Sequence, residues 1–181
     1  LGDVYKRQVD PNHDAYIDGA KPGDFINSVT NENYGTELYV INVHFKEDFV
    51  LWRKRESGGG LIGTYGSQSA ALDHLAKEGL KAEDHEIIQT QSHLLLRKDP
   101  ETGELDKTPF LMDFASSKLR VSREWNTQIG QLGGDRFSAL WKLNSLQTQN
   151  RAAQKFYNLN AENQGWVTEE DYEYAKEVYS K

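Results

Sequence analysis

The chain contains no cysteine. Disulfides, thiolate catalysis and cysteine-ligated zinc are excluded at once, which fits a reducing compartment. It has no apolar run near the ~20 residues of a membrane span and no secretory hydrophobic segment near its start. Its five histidines, His13, His44, His74, His85 and His93, are nowhere spaced as HxH or HxxxH, so spacing offers no metal site. A GxSxG nucleophile elbow is missing. So is a Gly-Lys-Ser/Thr after the glycine run at residues 57–66 (SGGGLIGTYG), which therefore reads as a hairpin loop and not as a phosphate cradle. The expectation is a non-catalytic protein with no cofactor, no metal and no membrane segment. The open alternative is an enzyme whose site is assembled only in three dimensions.

What is present is charge of two kinds, unevenly placed. The 181 residues are 37% hydrophobic and 11% aromatic, with a net charge of −7, a composition suited to one well-packed domain. Residues 116–160 run the other way. They hold Lys118, Arg120, Arg123, Arg136, Lys142, Arg151 and Lys155 against only Glu124 and Asp135, a net +5. The same stretch carries Trp125, Phe137, Trp141, Phe156 and Tyr157. Upstream, Trp52 is followed directly by Arg53, Lys54 and Arg55. Cations interleaved with rings are what a single-stranded nucleic acid needs, because cations neutralise phosphates and exposed rings stack on bases. The overall acidity confines any such binding to a local surface.

The competing reading is a core with solvated charges around it. Helical spacing puts Trp125 on a stripe with Val121, Ile129 and Leu132, and strand alternation puts Trp141 with Phe137 and Leu143. Those rings are assigned to the core. The nucleic-acid candidates that remain are Arg53, Lys54, Arg55, Lys118, Arg120, Arg123 and Lys142, with Trp52 and Tyr157 as stacking rings.

The octapeptide at residues 1–8 (LGDVYKRQ) resembles translated adapter sequence at the ends of metagenomic reading frames and is set aside. On that expectation the native start of the chain is missing. Residues 9–181 are then a single domain. Residues 9–24 read as an irregular lead-in, whose DPNHDAYIDG has the spacing of a calcium loop but puts Ala15 and Lys21 at the positions of the required Gly and Glu. Strands are expected at residues 25–29, 38–45, 49–53, 86–97, 108–114, 136–149 and 154–160, with Lys46-Glu47-Asp48 interrupting the second run. Helices are expected at residues 67–80, 116–132 and 168–180, the last capped by Thr168. The order describes an α+β, β-rich fold: a small OB-like barrel or a strongly bent antiparallel sheet with about three appended helices.

Three segments carry a resemblance: GDFINSVTNENYG, DFVLWRKRESGGGLIG and SSKLRVSREWNTQI. They resemble small, uncharacterised tailed-phage proteins found among replication genes, some of them similar to single-stranded DNA-binding proteins, over about residues 14–175. The resemblance implies single-stranded DNA binding in replication or recombination, phage replication proteins as partners and the host cytoplasm as location. Its motifs imply no catalytic residue. The alternative it leaves is a phage structural or host-interaction protein that binds protein. Phage single-stranded DNA-binding proteins commonly end in a disordered acidic tail. Here the acidic end is short, patterned as a helix and closes with Lys181.

Overall fold

The computed structural model describes residues 2–4 and 19–181. The calcium-like loop and most of the expected lead-in lie outside them. The elements in chain order are β1 (Gly2–Val4), β2 (Phe25–Asn27), β3 (Glu37–Arg53), β4 (Leu61–Tyr65), α1 (Gln68–Lys77), β5 (His85–Arg97), β6 (Phe110–Ala115), α2 (Lys118–Gly130), β7 (Ala139–Gln149), β8 (Lys155–Trp166) and α3 (Glu169–Tyr179). Strand β1, from the segment set aside as adapter-like, pairs antiparallel with β2.

The main sheet is antiparallel, six-stranded and not closed, ordered β6-β5-β3-β7-β8 with β4 also on β3. Of the two forms expected, it is the bent sheet. Five strands spaced about 4.8 Å apart would hold the edges of a flat sheet roughly 19 Å apart. Yet Ser117, two residues beyond the end of β6, accepts a hydrogen bond from Asn158 Nδ2 of the far edge strand β8 at 3.2 Å. The sheet curls until its edges approach, and α2 starts at the seam.

Strand β3 is longer than its sequence suggests. The expected interruption at Lys46-Glu47-Asp48 does not occur, and one strand runs through all 17 residues. The charges are accommodated in place. Lys46 pairs with Asp48 at 3.3 Å, and one Glu47 oxygen accepts from Gln89 (2.8 Å) and Gln91 (2.7 Å). Strand β5 pairs with β3 from Val40 to Arg53, shifting register between Asn42 and His44. On its other edge, β3 meets β7 over Glu37–Ile41 and β4 over Phe49–Trp52. The glycine run is thus only partly loop, because Leu61–Tyr65 returns as a strand. Strand β8 likewise extends past the expected residue 160 to Trp166.

Alternation assigns the two faces. The first buries Leu38, Val40, Leu95, Phe114, Trp125, Trp141 and Leu143 beneath α2, as the helical periodicity predicts for Trp125 and strand alternation for Trp141 and Leu143; Phe137, expected beside those two in the same strand, instead lies in a 3₁₀ turn before β7 and packs on the other face. Helix α1 lies on this face too, because His74 meets Tyr65 (5.4 Å), which is opposite Phe49. Its buried residues are Ala71 and Leu75, while Leu72, three residues before Leu75, is exposed. The second face buries Ile41, Val43, Leu96 and Phe137 beneath α3. Two helix starts are capped by side chains, the last of them by Thr168 as expected. Ser67 accepts from Ala70 N at 3.1 Å and Thr168 from Asp171 N at 3.2 Å. The Asp171 carboxylate turns instead to Lys98 Nζ, 2.5 Å away, which ties α3 to the end of β5.

Gly23 marks a tight approach. Its φ is +92°, and a Cβ there would lie 2.6 Å from the Tyr157 ring. The substitution Gly23→Ala is expected to cost about 1–3 kcal/mol through backbone strain and displacement of that ring. Urea denaturation measures it, and an unchanged midpoint would mean that the ring does not rest on this backbone.

Candidate nucleic-acid interface

The upstream cluster sits where β3 ends. Phe49, Leu51 and Arg53 project from the face carrying α1 and α2, and Val50 and Trp52 from the opposite face. Trp52 is 37% exposed, and its cross-strand neighbour Leu61 is 58% exposed. Lys54 precedes a single 3₁₀ turn, Arg55–Ser57, and Gly58, Gly59 and Gly60 all take positive φ to bring the chain back into β4. Among the described residues no carboxylate forms an ion pair with Arg53, Lys54 or Arg55. Acids are close in sequence and space all the same. Glu56 lies inside the turn, Ser57 Oγ donates to Asp84 at 3.0 Å, and Glu86 is opposite Trp52.

The cations of α2 have different fates. Arg120 is committed to Glu124 at 2.9 Å. Arg123 donates to Gln89 Oε1 at 3.4 Å, and Gln89 is opposite Phe49. Arg123 therefore reaches the same face as Arg53, about four strand residues or roughly 13 Å along the sheet. Glu47 shares this surface, its carboxyl held below the usual range by hydrogen bonds from Gln91 and Gln89 and by the Arg123 charge. Lys142 lies on the opposite face, paired with Glu37 at 3.2 Å. Hydrogen bonding to Glu37 raises its pKa.

Lys118 and Tyr157 come together. Only 5% of Lys118 is exposed, and it lines an open cavity of about 550 Å³ at the seam between the start of α2 and the β7–β8 hairpin. Tyr157 lines the same cavity, with Ser117, Gln154, Lys155 and Phe156. The two ends of the basic stretch thus meet, one from α2 and one from β8.

A buried polar chain, invisible to spacing, lies below α2. Arg136 Nη1 donates to Asn42 Oδ1 (2.7 Å) and Nη2 to Asn126 Oδ1 (2.6 Å). This orients the Asn42 amide so that Nδ2 donates to His93 Nδ1 at 2.8 Å. The His93 proton then sits on Nε2 and points at Ser122 Oγ, 2.7 Å away. Serine, histidine and asparagine in a row have the outline of a nucleophile, a base and an orienting group. The polarity is opposite. A base must offer a lone pair to the hydroxyl, and here the imidazole gives it a proton. His93 and Ser122 are also fully buried. His93 stacks on Trp125 at 4.9 Å, with Phe114 and Phe45 around it. The chain fastens α2 to the sheet. Among the described residues no group of three or more His, Asp or Glu is placed to hold a metal ion, and no helix is long and apolar enough to cross a membrane.

A family model described as Pam3 phage gp34-like protein matches residues 6–181. Searches of curated proteins and of solved structures find no match.

The polar chain makes stability acid-sensitive. Burial, reinforced by the Arg136 charge, pushes the His93 pKa from 6.5 down to about 3. The unfolded chain therefore binds a proton between those values that the folded chain refuses. Stability is full above pH 6.5 and falls as the pH drops toward 3. From pH 7 to pH 4.5 the loss from this residue is about 2–3 kcal/mol. Urea unfolding at the two pH values measures it, and His93→Gln should remove most of that difference. An equal pH dependence in the variant would assign it elsewhere.

Proposed function

The chain belongs to the Pam3 phage gp34-like protein family, and from that premise we propose that it is a non-catalytic phage module that binds single-stranded nucleic acid, DNA in the first instance. One observation carries the reading. The two basic segments, about sixty residues apart in the chain, present Arg53 and Arg123 on one face of the sheet. A strand crossing that face would have its phosphates on Arg53 and Arg123, and where it turns over the end of β3, past Lys54 and Arg55, a base would stack on Trp52 of the opposite face. The proposed setting is replication or recombination in the host cytoplasm, beside phage replication proteins.

The acids of the same region favour a second reading, a structural or host-interaction protein whose partner is a protein. Glu47 lies under Arg123, and Glu56, Asp84 and Glu86 lie among the β3-end cations. An extended polyanion would meet all four, whereas a protein surface of mixed charge would pair with both signs.

Filter binding of a (dT) oligomer across a salt series separates the two readings. About four phosphate contacts give a log–log salt slope near −3 for a single strand, or roughly a 50-fold fall in affinity between about 50 and 200 mM salt. Trp52→Ala should weaken binding about tenfold through lost stacking. Absence of binding at low salt, or binding indifferent to salt, overturns the nucleic-acid reading in favour of the protein partner.

A further inference from the structure

We propose that Glu47 is the base-reading group of the single-strand surface, accepting a hydrogen bond from the exocyclic amine of cytosine and turning away the carbonyl that thymine carries there. The inference rests on the single-strand reading and deepens it, since it names the base that the surface selects.

A carboxylate is out of place on a surface that takes phosphates. Glu47 lies under Arg123, on the face that carries Arg53. Neighbours of opposite charge commonly close into a charge-assisted hydrogen bond. Among the described residues no ion pair joins these two. The Gln89 amide stands between them instead. Its Nε2 donates to Glu47 Oε2 at 2.8 Å, and its Oε1 accepts from Arg123 Nη2 at 3.4 Å. One amide thus holds the two charges apart, and each keeps hydrogen-bonding capacity for a ligand.

The carboxylate is also held in one orientation. Gln91 Nε2 donates to the same Oε2 at 2.7 Å. Gln91 is only 5% exposed, and its own Oε1 is buried with no partner among the described residues. An unpartnered buried carbonyl is costly, so stability alone does not account for the way this amide is turned. Hydrogen bonds from Gln91 and Gln89, and then the Arg123 charge, keep the Glu47 carboxyl below its usual range. It is therefore an ionised group that only accepts. Both amides take Oε2. Among the described residues nothing donates to Oε1, and Glu47 is exposed.

What fits here is a donor beside an acceptor. Oε1 needs an N–H, and Gln89 Nε2 carries a second N–H that needs an acceptor. Cytosine presents its N4 amine and its N3 lone pair side by side, and a carboxylate accepting from cytosine N4 is one of the pairings of direct base readout. Thymine has the O4 carbonyl in place of the amine, so two acceptors would face each other. The reach is short. Glu47 and Phe49, the residue opposite Gln89, are two strand residues or about 7 Å apart, so a base attached to a phosphate on Arg123 can meet Oε1.

The test is a fluorescence-anisotropy titration of the full chain with (dC)₁₀, (dT)₁₀ and (dU)₁₀ at neutral pH and about 50 mM salt. The three strands carry the same backbone charge, and (dU)₁₀ removes the thymine methyl as a variable. The strand (dC)₁₀ should bind about tenfold tighter than either of the others. Glu47→Gln keeps the shape and removes the charge. It should weaken (dC)₁₀ and tighten (dT)₁₀ and (dU)₁₀, bringing the three within about twofold of one another. If the variant tightens all three strands equally, Glu47 is only a repelling charge and the inference fails. A cytosine preference that survives in the variant belongs to another residue and overturns it too. Equal, salt-dependent binding of the three strands by the unaltered chain removes the base selection and leaves the single-strand reading standing. Binding of none of them refutes both.

Discussion

Strand β3 is the member on which everything else is placed. Its pairing to β5 runs nearly its whole length, and its other edge is divided between β7 and β4. Because side chains alternate, a slip of one residue in this strand would turn Asn42 away from His93 and Leu51 away from the core. It would also exchange the faces of Trp52 and Arg53. The register of one strand therefore decides where α2 docks and which way the upstream cluster points. The shift between Asn42 and His44 matters for the same reason, since it changes which residues share a face on either side of it.

The buried polar chain is how that register is read by the helix. Arg136, Asn42, His93, Ser122 and Asn126 connect β3, β5, α2 and the turn before β7 through four contacts of 2.6–2.8 Å. Such a network adds little net stability over an apolar core of the same shape. It penalises wrong arrangements heavily, because any displacement strands a buried guanidinium or amide without its partner. Trp125 and Trp141 pack edge to face at 6.1 Å beside it, so apolar burial supplies the energy and the polar chain supplies the alignment. Residues 116–123 inherit their position from that alignment.

Local signals in the sequence were legible and tertiary ones were not. Ser67 and Thr168 mark helix starts because a cap needs only its own next turn. The periodicity at Trp125 and Trp141 identifies core because burial repeats with the element, whereas Phe137 is buried from a turn on the other face, which alternation does not describe. The run Lys46-Glu47-Asp48 looks like a break because propensity weighs charge against strand. It continues as strand because Asp48, Gln89 and Gln91 offer partners that sequence proximity does not reveal. Asn42, His93, Ser122 and Arg136 carry no shared spacing, and neither does the pairing of Ser117 with Asn158. Lys118 reads as a solvated cation, and its burial follows only from the seam, which is a property of the curled sheet.

The net +5 of residues 116–160 is a poor measure of the field a ligand would meet there. Arg120 is spent on Glu124, Lys142 on Glu37 and Arg136 on the buried amides. Subtracting them leaves Arg123, beside Glu47, with Arg151 and Lys155 around the hairpin, while Lys118 is buried at the start of α2. Exposed pairs cancel at short range and are screened beyond roughly 10 Å, so neither the chain total nor the stretch total predicts the local potential. What decides it is where carboxylates are absent. Among the described residues, that condition holds in the wall of the seam cavity. At the β3 end it does not, because three cations and three acids are interleaved. The field of the β3 end therefore depends on which charges a partner brings.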